Sequence, residues 1–235
     1  MTGAPSVLRF EEVAYRSPIE AYASFGGASF TLHAGGMLGL HIDRDSEHVP
    51  IADLATGLLA PTSGKVFFGE RDWQRINPFE QAAARGRIGC VLEEMSWITS
   101  LTVRQNIMLR ERHHTIRSDE EIGEEAERLC GIVGMSAIPE GRPDRVRPRE
   151  LRVLEWVRAF MGTPKLVVLV FPERDAFTGA CDACMAMVEK ALSEGTSVVW
   201  ISDRDEVWRH PFMKRADQYE IKDERWMPRR MEGVR

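Results

Sequence analysis

The sequence predicts an α/β protein, on three observations. Four short, continuous apolar runs, GMLGLHI (36–42), RIGCVL (87–92), LVVLVF (166–171) and SVVWIS (197–202), have the length and branching of strands buried on both faces of a parallel sheet. The first of them leads through a loop into IADLATGLL, where Ile51, Leu54, Ala55 and Leu58 share one helix face and Pro50 suits the first turn. From Thr102 to about Met161 the pattern turns helical and strongly charged, so a helical insert interrupts the α/β core.

Each element has a local reason. VLRFEEV (7–13) and ASFTL (28–32) read as antiparallel strands around a connection containing Gly26 and Gly27, and SGKVFFGERDW reads as a turn followed by a strand. TVRQNIMLRERHH, SDEEIGEEAERLCGIVG and RELRVLEWVRAFMG are the candidate helices of the insert. Ser118 with Glu121 three residues later has the spacing of a capping box. CMAMVEKALSEG joins the last two buried strands as a helix ended by Gly195. The division this predicts is a core of residues 1–98 and 163–235 with a helical subdomain at 99–162.

Bulk composition removes several classes of function. The chain of 235 residues is 43% apolar and 29% charged, and 31 basic against 36 acidic residues leave a formal charge of -5, which argues against nucleic acid as a partner. No apolar run approaches the roughly 20 residues that cross a bilayer. The N-terminus MTGAPSVLRFEE lacks a basic stretch followed by an apolar one, so a cytoplasmic location is expected, with any membrane contact made through a partner. Of the cysteines Cys90, Cys130, Cys181 and Cys184, the last two form a lone CxxC whose i,i+3 spacing fits two small side chains on one helix face, so no metal is expected there.

LATGLLAPTSGKVFFGERDW, RIGCVLEEMSWITSLTVRQNIML, RAFMGTPKLVVLVFP and SVVWISDRDEV carry a resemblance to the ATP-binding subunits of ABC transporters over nearly the whole chain. RERHHTIRSDEEIGEEAERLCGIVGM is similar to the branch serving Mla-type phospholipid transporters. The resemblance implies a P-loop NTPase-like ABC ATPase core with N-terminal antiparallel strands and an inserted helical subdomain.

Laid over the family pattern, the site positions read differently. The phosphate loop, expected as G-x-x-G-x-G-K-[ST]-T, reads IDRDSEHVP, with Asp43, Arg44, Asp45, Ser46, Glu47, His48 and Val49 inside it. His48 takes the place of the lysine and Val49 that of the Mg²⁺-binding hydroxyl, and no glycine remains to let backbone N–H groups wrap phosphates. Each acid facing a nucleotide charge at roughly 6 Å costs ~3 kcal/mol at an effective dielectric of about 20. Val170 and Phe171 stand where the metal-orienting aspartate and general-base glutamate belong, Glu93 at the Q-loop glutamine, Asp203 at the switch histidine and Phe177 at the D-loop aspartate. The signature LSGGQ becomes VRPRE (146–150) without gaps, or is lost to a short deletion after Leu151. Tyr15 is the one residue matching the aromatic that stacks on adenine.

These substitutions predict a chain that is not an enzyme, a pseudo-ATPase holding neither ATP nor Mg²⁺ in the family manner. The implied role is structural or regulatory within an ABC transporter, one for lipid where the Mla-type resemblance is followed, docked on an integral membrane permease at the cytoplasmic face of the inner membrane. Pairing with an active ATPase subunit belongs to the same reading. The groove for the permease would be lined by Met95, Trp97, Ile98 and Leu101, with Trp97 as the main anchor, although the same residues also suit packing inside the helical subdomain. Two alternatives stand beside it. One is a soluble scaffold that keeps the fold without a transporter and docks through the charged insert or the tail around Trp226, Arg229 and Arg230. The other is a metal held by Asp43, Asp45, Glu47 and His48, for which no ligand geometry is defined.

Overall fold

The computed structural model describes residues 4–17, 24–42, 50–173 and 177–229. Its strands are β1 (Ser6–Tyr15), β2 (Phe25–His33), β3 (Met37–His41), β4 (Ser63–Phe68), β5 (Arg71–Asp72), β6 (Ile88–Val91), β7 (Leu166–Val170), β8 (Ser197–Ser202), β9 (Asp217–Lys222) and β10 (Arg225–Pro228). They form one sheet in the order β5-β4-β1-β2-β10-β9-β3-β8-β7-β6. The half from β9 to β6 is parallel, and the pairs of β1 with β2 and with β4 are antiparallel.

The continuous apolar runs follow from this placement. Every residue of β7 and β8 is buried, because helices cover one face of the parallel half and α1 with the antiparallel strands covers the other. Val167, Leu169, Val198 and Trp200 face one cluster with α3 (Val103–His114), α4 (Asp119–Ile132), α5 (Pro148–Phe160) and α6 (Phe177–Ser193). Their neighbours Val168, Val170, Val199 and Ile201 face the other, with α1 (Ile51–Ala55) and the antiparallel strands. Trp156 of α5 and Trp200 of β8 meet edge to face at 5.8 Å with no exposed surface, tying the helical insert to the sheet. The Ser118 and Glu121 capping box is formed and starts α4.

Three expectations change. The helix after Pro50 stops at Ala55, and Leu58 is exposed instead of sharing the buried face of Ile51, Leu54 and Ala55. Gly57 is the reason: it adopts a left-handed φ of 67°, and a Cβ there would sit 2.4 Å from the Trp73 ring. A further helix, α2 (Pro78–Arg85), has no buried residue and so no apolar stripe to betray it; its signal is the Asn77 and Glu80 capping box with Pro78 at the first turn. The C-terminal stretch is not a free docking tail over its described part. Trp226 lies in β10, stacked on Phe30 at 5.5 Å, and Arg229 bonds Asp205 at 2.9 Å; Arg230 lies outside the described residues.

Cys130 and Cys184 are buried and Cys90 is partly buried, all as free thiols. The side chain of Cys181 lies outside the described residues. Among the described residues no helix is long and apolar enough to cross a membrane.

Candidate functional site

Two places in this fold carry unusual chemistry: the segment after β6, and the C-terminal edge of the parallel strands. The segment from Leu92 to Ile98 has no regular structure of its own, so its backbone groups need partners from elsewhere. α5 supplies them with three charged side chains one turn apart. Arg152 donates to the carbonyls of Leu92 (2.5 Å) and Glu93 (2.6 Å) and to Glu155 (2.8 Å). Glu155, fully buried, accepts the Ser96 N–H at 3.1 Å, and Arg158 donates to the Ser96 carbonyl (2.7 Å) and hydroxyl (2.9 Å) and to Glu155 (3.3 Å). Burial pushes the Glu155 carboxyl up against the pull of Arg158 and Arg152.

From the other side Asn106 of α3 takes the Ile98 N–H at 2.8 Å and returns a bond to the Ile98 carbonyl at 3.0 Å. The segment is thus held at both ends by hydrogen bonds from side chains of α5 and α3. Met95 and Ile98 are left exposed, at 39% and 45%. Trp97 is half-buried, packed on the helical core with Arg158 4.8 Å above its ring, and Leu101 is half-buried. Of the expected anchors, Met95 and Ile98 therefore face outward while Trp97 turns toward the core.

Beside Ile98 lies a cavity of about 500 Å³ walled by Ile88, Cys90, Leu109, Arg110, His113, His114 and Arg158. Leu109, the histidines and Arg158 were not singled out by the sequence reading. Helical spacing is the signal that could have found them, because Leu109 and His113 lie four apart on α3. Burial raises the Cys90 thiol to about 11, so it is a packing group and not a nucleophile at neutral pH.

At the C-terminal edge of the parallel strands, where open α/β sheets bind ligands, Val170 and Phe171 are buried and apolar, at 4% and 9%. Phe171 is left-handed at a φ of 45°, a strained conformation for a bulky residue. Asp203 follows the last residue of β8, and Glu93 is half-buried after β6. Tyr15 is buried at 7% and pairs with Phe25 across the antiparallel strands, so its ring is in the core. Asp43, Arg44, Asp45, Ser46, Glu47, His48 and Val49 lie outside the described residues, as does the Phe177 side chain. The 146–150 stretch leads into the N-terminus of α5, with Arg147 and Arg149 exposed.

One group at this edge was missed. Glu173, 2% exposed, accepts a hydrogen bond from the Ser202 hydroxyl on one oxygen, while the other is buried with no hydrogen-bond partner among the described residues. Burial holds its carboxyl above the usual range. The native state then binds the Glu173 proton more tightly than the unfolded chain, so this residue's contribution to stability is greatest at low pH. It falls as pH rises from about 4.3 through the raised value. Urea midpoints of the wild type and Glu173→Gln, compared across pH, are expected to draw apart in the variant's favour as pH rises; parallel curves would contradict this assignment.

The architecture is the α/β fold of ABC transporter ATP-binding cassettes. It superposes on a dimeric ATP-binding cassette in a post-hydrolysis state bound to ADP and Pi with a TM-score of 0.80, at 15% identity, covering 97% of this chain and 99% of that one. Another solved ATP-binding subunit of an ABC transporter gives 0.78 at 12% identity, over 94% of this chain and 90% of that one. Among sequence relatives, the uncharacterized ABC transporter ATP-binding protein YphE of Escherichia coli K12 is 24% identical over 76% of this chain and 36% of its own length. The arabinose import ATP-binding protein AraG 1 of Burkholderia cenocepacia is 24% identical over 87% and 40%. The lipoprotein-releasing system ATP-binding protein LolD of Gluconobacter oxydans is 27% identical over 88% of this chain and 90% of LolD. The chain thus spans well under half the length of the first curated relatives it matches. No protein-family model matches it.

These relatives correct two expectations. The chain was expected to be no enzyme and to hold neither ATP nor Mg²⁺, but the proteins it resembles are named ATP-binding proteins, and none of the matches marks a loss of that activity. What the described residues establish is narrower. Val170 and Phe171 have no side-chain oxygen for a metal, and no group of three metal-type ligands occurs among the described residues.

Proposed function

We propose that this chain is an ATP-binding-cassette subunit of an ABC transporter, docked on an integral membrane permease and paired with a second cassette. The observation that carries the reading is the fold match over 97% of the chain to a dimeric cassette. In support, the rigidly held segment from Leu92 to Ile98 presents Met95 and Ile98 on the outside, beside an open cavity. In this reading residues 99–162 form the helical subdomain, and the permease places the chain at the cytoplasmic face of the membrane.

Nucleotide enters the proposal from the relatives' names. The finer part of the proposal, a lipid-linked cargo, draws on LolD, the lipoprotein-releasing relative whose length the chain nearly fills.

The experiment is a tagged pull-down from detergent-solubilised native membranes, with titration of Mg²⁺-ATP into the purified chain and its complexes. Recovery of a permease together with saturable nucleotide binding is expected. Absence of any integral membrane protein would remove the transporter role. Absence of nucleotide binding by the chain, alone and with its second cassette, would remove the ATP-binding part and leave the docking part standing.

A further inference from the structure

A cavity of about 540 Å³ opens at the N-terminal ends of the parallel strands, where β6, β7 and β8 begin. That volume falls within the roughly 300–1,000 Å³ of small-molecule sites. The cavity accounts for α2, the helix that buries no residue. Glu80, Ala83 and Ala84, at i, i+3 and i+4, share the face of α2 that borders it, so two methyl groups stand where larger side chains would have filled the gap.

The charges on the wall do not cancel locally. Three acids and three bases line it, but Glu80 accepts from Arg71 at 3.2 Å, and Glu194 pairs with Lys190, which is outside the wall. Arg87, Lys165 and Glu70 remain, and none of them has an ion-pair partner among the described residues. Arg87 and Lys165 directly precede Ile88 and Leu166, which pair across β6 and β7, and the Lys165 N–H donates to the Arg87 carbonyl at 2.9 Å. Two cations at matched positions on neighbouring strands repel each other. Glu70 belongs to another element, the exposed turn between β4 and β5.

Neutral groups complete the wall. The Ser6 hydroxyl, at the start of β1, is shut off from solvent with no hydrogen-bond partner among the described residues, and a hydroxyl can rotate toward an acceptor placed in the cavity. Val7 and Phe68 add buried apolar surface. Thr163 holds a left-handed φ of 50°, a conformation that β-branched residues seldom keep and that concentrates at ligand sites.

We propose that this cavity binds a small organic dianion, its acidic groups carboxylate or phosphate, held by Arg87 and Lys165. The Arg87 guanidinium matches either group with two parallel hydrogen bonds, and the Lys165 ammonium acts as a point charge. The Ser6 hydroxyl supplies a neutral donor, and Val7 with Phe68 covers the carbon skeleton. A ligand here relieves the repulsion between the two cations, which nothing else among the described residues does. The inference does not rest on the transporter reading, because the cavity lies at the opposite ends of the strands from Val170 and Asp203.

The test is calorimetric titration of the purified full chain with three probes. Glutarate carries two carboxylates, 3-phosphoglycerate one carboxylate and one phosphate, and inorganic phosphate no carbon skeleton. Saturable binding of glutarate assigns a dicarboxylate ligand, and binding of 3-phosphoglycerate alone assigns a phosphorylated one; either supports the proposal. Arg87→Gln and Lys165→Gln are each expected to weaken that binding by about tenfold or more. Ala83→Leu, which adds bulk to the α2 wall without touching a charge, is expected to block it. Arg142→Gln, which removes an exposed cation outside the cavity, is expected to leave it unchanged. Matching urea midpoints confirm that the variants are folded. Failure of both organic probes to bind, phosphate binding as tight as that of 3-phosphoglycerate, or an equal loss in Arg142→Gln overturns the proposal. Permease recovery and nucleotide titration are read separately, so this site and the transporter role stand or fall independently.

Discussion

Glu155→Ala is expected to destabilise the protein by about 3–5 kcal/mol, because it removes the shared partner of two buried cations and leaves both charges uncompensated. The Arg152 side chain is 3% exposed, so water cannot replace the carboxylate there, while that of Arg158, at 17%, is partly open to water. The change also orphans the Ser96 N–H. Glu155→Gln keeps an acceptor for that N–H and is expected to cost less. Urea unfolding measures the stability, and limited proteolysis measures the local effect. Cleavage within residues 92–98 is expected to accelerate in Glu155→Ala under conditions where the rest of the chain stays intact. A loss below about 1 kcal/mol would mean that the cluster does not hold the segment.

Gly89→Ala is expected to cost at least about 3 kcal/mol, the upper end for overpacking. A Cβ at Gly89 would lie 1.9 Å from the Ala159 carbonyl oxygen and 2.7 Å from its carbon. The obstruction is backbone, which cannot rotate away, so β6 and α5 would have to part. The matching control is Gly131→Ala. Gly131 lies within α4 with nothing within 4 Å of a Cβ, and its replacement is expected to stabilise by about 0.5–1 kcal/mol. Equal denaturation midpoints for the two variants would show that β6 and α5 are not in the tight contact described.

Both sites show why the sequence reading stopped where it did. The buried strands were legible because LVVLVF and SVVWIS are apolar at every position, which only a sheet covered on both faces requires. The Ser118 cap was legible because a capping box is local. Arg152, Glu155 and Arg158 read on paper as an ordinary charged helix, i, i+3 and i+6, and their meaning depends on carbonyls some 60 residues earlier in the chain. Glu173 carries no local signal in the sequence, because its burial against Ser202, 29 residues on, is a tertiary fact. The C-terminal stretch suits a tail in the alternative scaffold reading because the four residues of β10 have no partner until β9 and β2 are placed beside it.

The sequence by itself determined the α/β class, the parallel strands, the helical insert and the resemblance to ABC cassettes, since periodicity and run length are set by which faces a chain must bury. The inference that nucleotide chemistry is lost went beyond that, for it judged a ligand from single positions without the rest of the protein that would surround it. Tertiary structure alone decided which charges are buried, which of the expected anchors face outward, and that a cavity in an acidic protein is walled by bases. Those properties depend on distances between residues far apart in the chain, which local pattern does not encode.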